Sequence, residues 1–140
     1  MTAESPIPTL LAFLISDTVI LDAPTQKRTI VGVFDRILSP VAPFPINSIG
    51  LYAKMVDGAG SYRIKVRLVN LTKDEAKVME IEVDARWTNP DEPMELGMNF
   101  NGIPLAEFGT YEFQLYANDA YLGRATLRAV KMQPPPVAQR

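Results

Sequence analysis

The strongest constraint in this chain is a strict two-residue alternation on either side of residue 74. From Tyr62 to Leu68, apolar Tyr62, Ile64, Val66 and Leu68 alternate with basic Arg63, Lys65 and Arg67. From Met79 to Asp84, apolar Met79, Ile81 and Val83 alternate with acidic Glu80, Glu82 and Asp84. A period of two belongs to extended backbone, whose successive side chains leave on opposite faces. An antiparallel hairpin in which Leu68 faces Met79, Val66 faces Ile81 and Ile64 faces Val83 joins the two apolar rows. It also sets Arg67 against Glu80, Lys65 against Glu82 and Arg63 against Asp84. A slip of one residue would drive carboxylates into the core, so the pattern specifies its own register. Each opposite-charge pair adds only about 0.2–1 kcal/mol, so the charges choose the register more than they stabilise it. An anion-binding stripe or a cation site is the alternative use of such rows. With each row neutralised by the other, a solvated sheet face is the better reading.

The rest of the 140 residues follows the same rule. Extended segments are expected at Leu10–Leu21, Lys27–Leu38, Ser48–Val56, Tyr62–Asn70, Lys77–Ala85, Met94–Phe100, Thr110–Ala117 and Tyr121–Lys131. Breakers separate them, notably Asp22-Ala23-Pro24, Ser39-Pro40, Asp57-Gly58-Ala59-Gly60, Asn89-Pro90-Asp91-Glu92-Pro93, Asn101-Gly102 and Asn118-Asp119. Twelve prolines and eight glycines fall too close together for helices. Seven to eight short strands at regular spacing predict an all-β, immunoglobulin-like antiparallel β-sandwich over residues 9–131. Residues 1–8 and the Pro-rich tail 132–140 are expected to be disordered. In the last hairpin, Phe113 shares a face with Ala125 and Tyr111 with Leu127 if the loop is Asn118-Asp119-Ala120.

The chain has no His and no Cys, which excludes Ser-His-Asp triads, thiol nucleophiles, disulfides and zinc sites built on nitrogen or sulfur. Fourteen basic and sixteen acidic residues leave a net charge of −2, so nucleic acid is not an expected partner. The beginning of the chain carries Glu4, Pro6 and Pro8 where a secretory signal would be positive. Its apolar run Leu10–Ile15 is far shorter than the roughly 18 residues of a transmembrane helix. A cytoplasmic protein with no membrane partner is expected.

Leu105-Ala106-Glu107-Phe108-Gly109-Thr110-Tyr111 resembles the start of a late strand in immunoglobulin-like and fibronectin type III-like sandwiches. There a Leu, a Gly-containing turn and a Tyr six residues on form a tyrosine corner. The resemblance implies structural roles for Leu105, Gly109 and Tyr111, with the Tyr111 hydroxyl bonding upstream backbone and its ring in the core. Absence of a Cys pair, and Trp87 lying after a strand, depart from antibody domains. The chain as a whole resembles a family of small, uncharacterised bacterial proteins. The resemblance rests on Pro8–Asp17, Gly32-Val33-Phe34-Asp35, Leu51-Tyr52-Ala53-Lys54 and Gly109–Tyr116. It implies a fold but no catalytic residue and no cofactor.

Without His or Cys, catalysis would need a carboxylate pair drawn from Asp17, Asp35, Asp57 or Glu107, as in a hydrolase or carbohydrate-binding protein. Each sits at a strand end, where acids are common. Calcium could use Asp57-Gly58 or Asn89-Pro90-Asp91-Glu92, although neither has EF-hand spacing. Asp57-Gly58-Ala59-Gly60 lacks the Lys and Ser/Thr of a phosphate loop and reads as a turn. Pro134-Pro135-Pro136 could offer a polyproline segment to an aromatic groove.

The first two strands break the one-wet-face rule of a sandwich. Leu10, Ala12 and Leu14 are as apolar as Leu11, Phe13 and Ile15, and Ile30 and Phe34 are matched by Val31 and Val33. Either a loop, the Val41–Pro45 segment or the tail covers this surface, or a bulge at Ser16-Asp17 lets the strand change sheets, or it is an interface. Leu10, Ala12, Leu14, Ile30 and Phe34 are therefore the candidate contact residues. The expected function is a non-enzymatic module that binds an unknown protein partner or forms a homodimer.

Overall fold

In the computed structural model, residues 5–133 are described. The expectations for residues 1–4 and for the tail from residue 134, Pro134-Pro135-Pro136 included, lie outside them. Eleven strands and one 3₁₀ turn at Leu71–Lys73 make up the described residues. The back sheet has the order β3-β11-β10-β6-β7, from Arg36–Ser39, Ala120–Lys131, Gly109–Ala117, Gly60–Asn70 and Ala76–Trp87. The front sheet has the order β2-β1-β5-β8, from Lys27–Val33, Thr9–Asp22, Ile49–Val56 and Met94–Phe100. A two-stranded ribbon, β4 (Phe44–Ile46) with β9 (Ile103–Leu105), closes one end.

The β6–β7 hairpin carries all six cross-strand pairs expected from the alternation. Arg67 Nε donates to Glu80 Oε1 at 2.9 Å, Arg63 reaches Glu82 at 3.1 Å and Asp84 at 3.5 Å, and Lys65 lies 3.9 Å from Glu82. The Arg67 guanidinium holds the Glu80 carboxyl below the usual range, mainly through that hydrogen bond. Inward residues of both sheets meet in one core that includes Leu51, Met55, Leu68, Leu105, Phe113, Leu115 and Leu127, all fully buried. Tyr111 is buried, and its hydroxyl donates to the Glu107 carbonyl at 2.7 Å.

Four details differ from the alternation alone. Lys27–Leu38 is two strands: β2 in the front sheet ends at Val33, and β3 begins at Arg36 in the back sheet. Phe34 and Asp35 make the crossing, and the Phe34 N–H donates to the Ile15 carbonyl. β3 pairs in parallel with β11, so the sandwich is not antiparallel throughout. The ribbon strands β4 and β9 are three residues each, too short to show a period. In β10–β11, Phe113 does face Ala125 and Tyr111 does face Leu127, but the turn is the two residues Asn118 and Asp119, both with positive φ. The extra residue is taken up by a bulge beside Tyr116 rather than by the loop.

Candidate interaction surface

β1 is a single 14-residue strand that serves two partners. Its first half, Thr9 to Ser16, pairs with β5, and its second half, Ser16 to Asp22, pairs with β2. Past Ser16 the strand leaves the plane of β5 and crosses the outer face of the front sheet. Two glycines permit the crossing. A Cβ on Gly50 would lie 2.9 Å from Thr18 Cα and from Val19 N, and one on Gly97 would lie 2.9 Å from Val19 Cγ1. Asn99 on β8 clamps the passing backbone. Its Oδ1 accepts from the Val19 N–H at 2.9 Å and from the Thr18 hydroxyl at 3.2 Å, and its Nδ2 donates to the Val19 carbonyl at 2.9 Å. Ser48 Oγ adds a bond to the Asp17 carbonyl at 3.1 Å.

The underside of the β1–β2 hairpin is thereby covered. Val19, opposite Ile30, is buried, and Arg28 reaches across to within 3.7 Å of Glu95. This lid is why β5 is buried on both faces, Tyr52 included. Burial pushes the Tyr52 phenol up to about 12, helped by its hydrogen bond to Glu95 and by that carboxylate's charge. The sign follows from linkage: below pH 10 both folded and unfolded chains keep this phenol neutral, so it adds no pH dependence. Between about 10 and 12 the unfolded chain ionises first and stability falls as pH rises. Urea unfolding from pH 9 to 12 should show this decline in the native chain and a shallower one in Tyr52→Phe. Equal slopes would mean that the hairpin does not cover Tyr52.

The upper side of the hairpin is open. By alternation it carries Ile20 on β1 and Val31 and Val33 on β2, which are 50%, 40% and 59% exposed. Val31 and Val33 lie on β2, which among the described residues is an edge strand with no partner on its far side.

The five residues singled out from the sequence divide. A bulge at Leu11 shifts the β1–β5 register between Leu10 and Ala12. Leu10 consequently turns inward with Phe13 and Ile15 and packs on the core, leaving only Ala12 and Leu14 on the outer side. Phe34 also packs on the core, and Ile30 lies half-buried on the hairpin underside. The exposed large apolar side chains of these two strands are instead Leu11, Ile20, Leu21, Val31 and Val33. Their exposure follows from the bulge and from the strand crossing, and neither leaves a mark in the two-residue period.

The four acids sit on different elements. Asp17 leans over Gly32 on the hairpin, Asp35 sits in the sheet-to-sheet crossing, Asp57 in the β5–β6 turn, and Glu107 before β10. Glu107 accepts from Asn70 Nδ2 at 2.9 Å and lies 3.4 Å from Lys73 Nζ. Asp57 has a positive φ, as its turn requires. In the Asn89–Glu92 loop the carbonyls of Asn89 and Glu92 accept from the buried Trp87 Nε1 at 3.1 and 2.9 Å. Among the described residues, no three acidic side chains gather where a metal ion could be held. No helix among them is long and apolar enough to cross a membrane.

Two facing sheets, a shared apolar core and a tyrosine corner at Leu105, Gly109 and Tyr111 define an immunoglobulin-like β-sandwich. The chain belongs to DUF6941, a family of unknown function, whose match spans residues 11–130. An immunoglobulin-like protein from Pseudomonas aeruginosa is similar at 14% identity and a TM-score of 0.45, over 91% of this chain and 98% of its own. A β-glucosidase from Listeria innocua, solved with isofagomine, is similar at 9% identity and a TM-score of 0.45, over 87% of this chain and 16% of its own. No curated protein matches the chain.

Proposed function

We propose that this protein is a non-enzymatic, cytoplasmic interaction module that associates with itself through the β1–β2 hairpin. The observation that carries the reading is the pairing of an open apolar face with an unpartnered strand edge. Ile20 on β1 and Val31 and Val33 on β2 stand exposed beside an edge strand whose charges are confined to its first two residues. Exposed, flat, apolar edges pair with other chains unless blunted by charge, proline or brevity. The other edges are blunted. β7 carries Lys77, Glu80, Glu82, Asp84 and Arg86, and β3 is four residues long and begins with Arg36. The outer side of β8 carries Glu95 and Asn99, both engaged with the hairpin. Asp17, Asp35, Asp57 and Glu107 sit on four different elements, and no three acidic side chains gather among the described residues, which supports the non-enzymatic part of the reading.

Molar mass measured by light scattering should rise from monomer toward dimer through the micromolar range. Val33→Lys should weaken that association by at least about tenfold, the effect of about 1.4 kcal/mol, without altering the far-ultraviolet spectrum. A chain that stays monomeric at the highest soluble concentration would overturn the reading.

A further inference from the structure

We infer that the partner is a second copy of this chain, and that the two β2 strands pair antiparallel about a two-fold axis through Ile30. The inference rests on the self-association reading above and specifies its geometry. Pairing about Ile30 uses all of Lys27–Val33: Ile30 faces itself, Thr29 faces Val31, Arg28 faces Gly32, and Lys27 faces Val33. Charge selects this arrangement. Lys27 and Arg28, the latter also within 3.7 Å of Glu95 beneath the hairpin, lie at one end of the edge, and two carboxylates lie at the other.

Asp17 is the first of these. Its carboxylate occupies the space a side chain at residue 32 would fill, with Oδ2 against the position a Cβ on Gly32 would take. Gly32, with φ of +68°, thus presents an acidic group borrowed from β1 at the position that Arg28 of the second copy would face. Asp35, exposed just beyond Val33, lies one diagonal step from the facing Lys27. Parallel pairing would instead stack Lys27 and Arg28 on their own copies, and like charges directly opposite one another repel. The antiparallel match also places Thr29 and Val31, both β-branched, side by side on the open face, next to Ile20 and Val33 of each hairpin. Because the same strand is used by both copies, the assembly closes as a dimer rather than growing as a fibre.

The absence of cysteine makes the register directly readable. In Ile30→Cys the two thiols would sit on opposed residues, about 4.5–5.5 Å apart at Cα, within disulfide reach. In Thr29→Cys they would be a diagonal apart, about 7–8 Å. Mild oxidation should therefore give a covalent dimer from Ile30→Cys and little from Thr29→Cys. Lys27→Glu, on an exposed side chain, should weaken the dimer at least several-fold at low salt. A dimer that crosslinks equally at both positions or at neither, and is indifferent to Lys27→Glu, overturns the register while leaving self-association standing. A monomer overturns both. If Ile30→Cys disturbs folding, as judged by its circular dichroism, the effect of Lys27→Glu on the dimer decides.

Discussion

Phe113→Ala should cost the fold about 3–5 kcal/mol, the usual range for emptying a buried aromatic site. Phe113 is fully buried on β10, the middle strand of the back sheet, between Leu68 on β6 and Ala125 on β11. Its ring faces the front sheet, so the space left by its removal lies at the contact of the two layers. Neighbours on β6 and β11 are held by sheet hydrogen bonds and cannot collapse inward. For a domain whose total stability is about 5–15 kcal/mol, that is a large fraction. Urea unfolding followed by Trp87 fluorescence measures it. A loss below about 1 kcal/mol would mean that the two sheets do not close over this residue.

Gly50→Val should have the second largest effect, about 3 kcal/mol, at the upper end of the usual overpacking range. The colliding atoms are Asn99 Oδ1 and the backbone Thr18 Cα and Val19 N, so no rotamer change relieves the whole contact. The hairpin would have to lift from the front sheet and give up the Asn99 bonds to Thr18 and Val19. Amide exchange should then quicken at Val19 and Ile30 while the Val66 and Phe113 amides keep their relative protection. Uniform loss of protection would show the hairpin to be part of the global fold rather than a lid upon it. Because the same hairpin carries the association surface, this variant should also weaken self-association, whereas Phe113→Ala, assayed where it is folded, should not.

Much of this architecture can be read from residue order. The β6–β7 register is legible because a one-residue slip of β7 would exchange Ile81 and Val83 for Glu80 and Glu82 in the core. The tyrosine corner was legible from Leu105, Gly109 and Tyr111 because its geometry depends on spacing within one turn. The candidate surface was only half legible. Two-sided apolar character in β1 and β2 marks Leu10 and Phe34 as candidate contacts, whereas these two pack on the core and Leu11 and Val33 are the exposed side chains. A bulge inverts every face beyond it, and nothing in the run Leu10–Ile15 marks where Leu11 drops out of register.

What residue order determined by itself was local: extended backbone, inward and outward faces, turns at Asp57 and Asn118, and charge rows that admit one pairing. Each of these is decided by sterics or by neighbours a few residues apart. Only the tertiary structure decided that β1 bends at Ser16 across Gly50 and Gly97, that Phe34 carries the chain between sheets, and that β2 is an edge among the described strands. Those outcomes depend on contacts such as Asn99 with Val19, eighty residues distant in the chain, whose energies exist only once both layers have formed.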